Sequence, residues 1–174
     1  ADEVIVRATR ATDKSATTYK NISKEEIQQN NFGQDLPFIL QNTPGVVVTS
    51  DAGAGVGYTG IRIRGSDNSR INVTVNGIPI NDSESQGTFY VNMPDFASSV
   101  DNVQIQRGVG TSTNGAGAFG ASLNIQTTAS ETQPYAELNN TYGSFNTWKN
   151  TVKVGTGLIN NRFSFDGRLS RISS

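Results

Sequence analysis

The chain has 174 residues, 34% of them hydrophobic, a formal net charge of −1, 18 Gly and neither Cys nor His. That length suits one domain, or one domain plus part of another. The near-neutral charge excludes a dedicated nucleic-acid surface, which needs clustered Lys and Arg. Without Cys and His these residues offer no disulfide, no thiolate or imidazole metal site and no nucleophilic triad built on those groups.

Abundant Gly, Asn, Ser and Thr favour turns and short strands over long helices. No stretch approaches the ~20 apolar residues of a membrane-spanning helix. The opening ADEVIVRATR shows no signal peptide, and the closing LSRISS stops inside what reads as a strand, so a piece of a longer protein is expected.

Residues 1–10 read as an extended segment, with Val4 and Val6 alternating against Glu3, Ile5 and Arg7. Ser23-Lys-Glu-Glu26 is a capping box and predicts a short helix from about Lys24 to Gln29, with Ile22 and Ile27 as its staple. Asp35 is expected to cap a second short helix carrying Leu36, Phe38, Ile39 and Leu40, which Pro44-Gly45 ends. Val46–Val48 follows as a strand, Asp51–Gly60 as a Gly-rich loop, and Ile61–Arg64 and Ile71–Val75 as strands. Asn76-Gly77 is a type I′ hairpin turn into Ile78–Ile80. A long polar loop, Asn81–Met93, contains Phe89-Tyr90, and Pro94–Ser99 suits one helical turn. Val103–Gln106 and Ser122–Gln126 are the next strands.

Beyond Gln133 the pattern changes to longer alternation. In Asn146–Gly155 one face carries Trp148, Asn150, Val152 and Val154, the other Thr147, Lys149, Thr151 and Lys153. Arg162–Arg171 places Phe163, Phe165, Gly167 and Leu169 opposite Arg162, Ser164, Asp166, Arg168 and Ser170, and Tyr135–Tyr142 repeats the pattern more weakly. Such dyad repeats suit the strands of an outer-membrane barrel. They equally suit an antiparallel sheet with one solvated face.

Two motif matches do not survive their context. Gly115-Ala-Gly117-Ala-Phe-Gly120 satisfies G-x-G-x-x-G, but a dinucleotide site needs a helix directly after it, and Ser122-Leu-Asn-Ile-Gln126 alternates like a strand. Asp82-Ser-Glu84 is a carboxylate pair of the kind common in solvated loops. No catalytic residues, metal ligands or cofactor are expected, and the chain does not read as an enzyme.

The remaining blocks resemble a known family. Ile61-Arg-Ile-Arg64-Gly65, then Arg70 and the hairpin Val73–Pro79, resemble the I-x-I-R-G … V-x-V-D-G-x-P signature of the plug domain of TonB-dependent outer-membrane receptors. Val103-Gln-Ile-Gln-Arg107-Gly108, followed by Asn114–Gly120 and Leu123-Asn-Ile-Gln-Thr127, resembles that family's second signature, I-E-V-x-R-G … Y-G-x-x-A-x-G-G-x-I-N-I-x-T. Glu3-Val-Ile-Val6 resembles the TonB box, the segment that the energy-coupling protein grips. The chain departs from the pattern at Asn76 (usually Asp), Asn114 (Tyr), Ala121 (Gly) and Arg7 (Thr). Asn76 suits its turn, since Asn tolerates positive φ.

The resemblance implies an α+β plug, a small mixed sheet with short helices and long loops, followed by the first antiparallel strands of a truncated transmembrane β-barrel. The expected division is 1–10 TonB-box-like segment, 11–130 plug and 131–174 barrel strands. The plug would sit in the lumen of a barrel of about 22 strands in the outer membrane, its N-terminus periplasmic, with lipid around the wall. TonB would grip Glu3, Val4, Ile5, Val6, Arg7 and Ala8 by strand addition. Arg64 and Arg107 would lock the plug to acidic residues of the same receptor's barrel, on strands expected beyond Ser174. Tyr58, Thr59, Ser85, Gln86, Phe89 and Tyr90 would contact the cargo, a ferric siderophore or related iron complex, with haem, cobalamin and oligosaccharide as alternatives. The competing class is a secreted β-rich adhesin or carbohydrate-binding module, which predicts a closed sandwich incorporating Tyr135–Arg171.

Overall fold

The described residues form three sheets of five, three and two strands, and the two larger ones differ in that only the five-stranded sheet buries its apolar face. The computed structural model describes residues 10–110, 117–129 and 131–174. Its elements run β1 (Thr18–Ile22), α1 (Lys24–Asn30), α2 (Leu36–Ile39), β2 (Val46–Ser50), β3 (Thr59–Ile63), β4 (Ile71–Val75), β5 (Ile78–Pro79), β6 (Val100–Arg107), β7 (Ala121–Thr127), β8 (Tyr135–Gly143), β9 (Thr147–Gly155) and β10 (Asp166–Ser173).

The α1 cap forms as its sequence predicts: the Ser23 hydroxyl accepts from the Glu26 N–H at 3.3 Å, and Ile22 and Ile27 are both buried. Asp35 does not cap α2 with its side chain. Its carboxylate turns instead to the Gly-rich loop, accepting from Gly57 N at 3.1 Å and Thr59 Oγ1 at 3.0 Å. A one-turn helix offers less than that loop does.

A five-stranded sheet in the order β1-β6-β7-β4-β5 forms the centre of the body, residues 10–129. It is mixed: β4 and β7 are parallel, and the remaining pairs antiparallel. Its apolar face, with Ile71, Val73, Val103, Ile105, Leu123 and Ile125, packs with Ile22, Ile27, Leu36, Leu40, Ile61 and Ile63 into one core. The Asn76-Gly77 turn has φ of 51° and 83°, as a type I′ hairpin requires. Asn76 also exchanges hydrogen bonds with Thr127, donating to its hydroxyl at 2.8 Å and accepting from its N–H at 3.0 Å.

Strand β1 is absent from the sequence reading because Thr18-Tyr-Lys-Asn-Ile22 has no apolar alternation; only Ile22 is fully buried. Pairing with β6, not amphipathicity, makes it a strand. Strand β3 starts earlier than expected and stops before Arg64, whose φ is 51°.

Strands β10, β9 and β8 form a separate antiparallel sheet in that order. Arg162–Phe165, expected in the last strand, are spent on a turn in which Asn160 and Asn161 have φ of 50° and 53° and Ile159 pairs with Phe163. The two faces of β9 separate as the alternation predicts, but Thr147, Lys149 and Thr151 are the buried ones. Leu138, Val152 and Leu169 lie side by side across the three strands and are 66%, 43% and 79% exposed. Beside them Tyr142 and Trp148 pack ring against ring, centroids 4.6 Å apart, both exposed. A closed sandwich would bury this face. The sandwich expected of an adhesin or carbohydrate-binding module is therefore not the fold.

Candidate functional site

Arg64 and Arg107 meet beside the Pro44-Gly45 turn. Arg64 donates from Nη1 to the Arg107 carbonyl at 3.3 Å, and Arg107 from Nη1 to the Pro44 carbonyl at 3.1 Å. The Arg107 Nε is buried without an acceptor. Neither guanidinium enters an ion pair among the described residues. Two like charges are thus held together by backbone carbonyls, each with donors to spare.

The two loops expected to meet cargo are built differently from each other. In the first, Tyr58 projects into solvent while the Thr59 hydroxyl is engaged by Asp35. Burial raises the Asp35 carboxyl above its ordinary value, more than the bonds from Thr59 and Gly57 lower it. In the second, Asp82 accepts from Ser85 N at 2.7 Å, Ser85 Oγ at 2.9 Å and Glu84 N at 3.2 Å. Those bonds hold its carboxyl below its ordinary value. Asn81 ties the loop to β4 through Ile71 O and Val73 N. Ser85 and Gln86 are exposed, and Phe89 presents half its surface.

Tyr90 requires a correction. It is 2% exposed, part of the core, and its hydroxyl has no partner. Burial pushes its phenol pKa up. The adjacent aromatics divide the work: Phe89 faces out and Tyr90 packs.

The densest polar cluster went unnoticed in the sequence. Asp95, 2% exposed, receives Lys149 Nζ at 2.6 Å on one oxygen and Arg168 Nη1 at 3.0 Å on the other. Ser98 donates to it at 2.6 Å, Thr151 at 3.1 Å, and Ser170 adds a further hydrogen bond. Arg168 also reaches the Asp95 carbonyl at 2.7 Å. Lys149 completes its three donors with Asn31 Oδ1 and Ser98 Oγ, each at 2.9 Å. Burial alone would raise the Asp95 carboxyl, but hydrogen bonds from Lys149, Ser170 and Ser98 and the Lys149 charge together hold it below its ordinary value. The available signal was a Lys and an Arg on the polar, inward half of the β9 and β10 alternation.

The face of the five-stranded sheet opposite the core is polar yet buried, with Asn72, Thr74, Gln104, Gln106, Ser122 and Asn124. Residues 10 and 11 lie across it: Ala11 exchanges hydrogen bonds with the Gln104 amide at 2.7 and 3.0 Å, and Arg10 binds Asn102 and the Asn124 carbonyl. Glu3–Ala8, and Asn114–Ala116 of the second signature, fall outside the described residues. Among the described residues no group of His, Cys, Asp or Glu is arranged to hold a metal ion.

Comparison with known proteins agrees with this architecture. A family model described as TonB-dependent receptor plug domain matches residues 10–122. The vitamin B12 transporter BtuB of Vibrio vulnificus is 29% identical over 133 residues, covering 75% of this chain and 21% of its own length. The ferric yersiniabactin uptake receptor FyuA of Yersinia pestis superposes with a TM-score of 0.70 at 16% identity, over 94% of this chain and 25% of its own. The siderophore receptor PirA of Acinetobacter baumannii gives 0.66 at 20% identity, over 88% and 24%. The chain thus spans between 21% and 25% of the length of these relatives.

Proposed function

The chain belongs to the TonB-dependent receptor plug domain family, and from that premise we propose that it gates an outer-membrane active transporter, its body serving as the plug and β8–β10 as part of the barrel wall. The observation that carries this reading is the sidedness of the three-stranded sheet. Leu138, Tyr142, Trp148, Val152, Val154 and Leu169 point away from the body, while Lys149, Thr151, Arg168 and Ser170 point toward it; Tyr135, Arg171 and Ile172, at the ends of the outer strands, depart from the pattern. That is the arrangement of a strand with lipid outside and a polar lumen within.

The N-terminus lies on the periplasmic side, where Glu3, Val4, Ile5, Val6, Arg7 and Ala8 add as a strand to TonB. Arg64 and Arg107 form the lock to carboxylates on the barrel. Their pairing with backbone alone, and their free donors, support that role, since a guanidinium fork matches a carboxylate. The cargo is a ferric siderophore or related iron complex. The exposed rings of Tyr58 and Phe89, with Ser85 and Gln86 between them in sequence, offer stacking faces and hydrogen-bond groups on the loops that would meet it.

A deletion strain complemented with the full-length receptor tests this. Growth on ferric siderophore as sole iron source is expected, with loss of growth when residues 3–8 are deleted and impaired growth for Arg64→Ala with Arg107→Ala. Growth rescued only on haem, cobalamin or glycan would reassign the cargo. No difference on any source, or an N-terminal deletion without effect, would overturn the reading.

A further inference from the structure

We propose that Asp95, Lys149 and Arg168 form a charge latch that fixes the body in register on the three-stranded sheet, and that the seam they hold opens while the five-stranded core stays folded. Three observations converge on this.

The first is how little else joins the two parts. The hydrophobic core is drawn wholly from the body and takes no residue from β8, β9 or β10. Among the described residues, the hydrogen bonds and ion pairs between residues 10–129 and 135–174 run through Asp95 or Lys149, and the segment leading into β8 adds one half-exposed pair, Lys24 with Glu131 at 3.2 Å. Beside the latch lies a crevice of about 880 Å³, lined by Lys24 and Gln28 from the body and Thr141 and Lys153 from the sheet. Water-sized space, not packing, separates the two parts there.

The second is how completely the latch is built. All three Lys149 donors and both Asp95 oxygens are occupied. Asp95 is held at φ +50°, a left-handed conformation that costs a non-Gly residue free energy. The Lys149 stem passes over Gly33, where a Cβ would sit 3.2 Å from its own Cβ and Cδ. A strained backbone and a missing side chain both serve one ion pair.

The third is the energetics of such pairs. A buried pair adds little net stability over apolar packing, yet losing one partner strands a charge and is strongly destabilising. It therefore sets register, and removing one partner weakens the seam without opening a cavity in the apolar core. The polarity is opposite to that of the Arg64–Arg107 lock, because here the body supplies the anion. The latch itself stands on its geometry; its bearing on transport rests on the plug reading.

The test uses the full-length protein that carries this chain, with spin labels on cysteines. One pair, Gln41→Cys with Asn140→Cys, spans the seam, and a second, Gln41→Cys with Glu84→Cys, reports on the body alone. Asp95→Asn is expected to raise the population with an open seam on the order of 100-fold, broadening the first distance distribution and leaving the second narrow. Arg168→Gln, which removes the more exposed cation, is expected to do the same to a smaller degree. Both variants leaving the seam distance narrow would overturn the latch. Should Asp95→Asn broaden both distances, Arg168→Gln decides: a broadened seam with a narrow body supports the proposal, and any other result contradicts it. These distances are read without transport, so a failed growth assay leaves them interpretable.

Discussion

The five-stranded and three-stranded sheets are written in the same alternating code and read it in opposite senses. In β7, Leu123 and Ile125 face the core, while Ser122 and Asn124 lie on a second face that is buried and polar. In β9, Val152 and Val154 face outward, while Lys149 and Thr151 are buried. Alternation tells which residues share a face; it does not tell which face meets water. What decides is the medium on each side. The core face of β7 leaves water on folding, whereas the apolar face of β9 is left exposed, and under the proposed wall reading it meets lipid.

Substitutions on the two apolar faces break this comparison most sharply. Leu123→Ala removes a fully buried side chain and is expected to cost about 2–5 kcal/mol in any surroundings, read from the unfolding midpoint. Val152→Arg is expected to cost about 2–4 kcal/mol in a bilayer, seen as loss of the full-length receptor from the outer-membrane fraction. On an ordinary solvated face the same change would stay within about 0.5 kcal/mol. Equal, small effects at the two positions would erase the distinction.

The two buried aspartates sharpen it on a finer scale. Asp95 is held below its ordinary value, so its contribution is fully present above about pH 3.9, the unperturbed Asp value, and is lost as pH falls through the lower folded value. Asp35 has the opposite sign: its raised value means ionisation opposes folding, with no penalty below the ordinary carboxylate range and the full penalty above the folded value. Thermal midpoints measured against pH should therefore show Asp95→Asn removing an acid-labile stabilisation and Asp35→Asn removing a penalty at neutral pH. Identical pH profiles for the two variants would contradict the assignment.

Much of the body was legible because its signals are local. The Ser23 capping box, the Asn76-Gly77 turn and the alternation of Ile71–Val75 and Ser122–Gln126 each fix geometry within a few residues. What stayed hidden depends on partners distant in sequence. β1 exists through pairing with β6, Asp35 abandons its helix for a loop 22 residues on, and Asp95 meets Arg168 across 73 positions. Phe89 and Tyr90 are neighbours that part company because only one reaches the core. The paired arginine signatures were read from motif resemblance, and the structure brings the two together beside one turn.

The most direct measurement is collision accessibility of spin labels along β9 in the full-length receptor in lipid vesicles. Labels at Trp148, Val152 and Val154 are expected to relax with dissolved oxygen and resist a polar nickel complex, while a label at Lys153 does the reverse. Preferential access of the nickel complex to all four positions would contradict a lipid-facing wall.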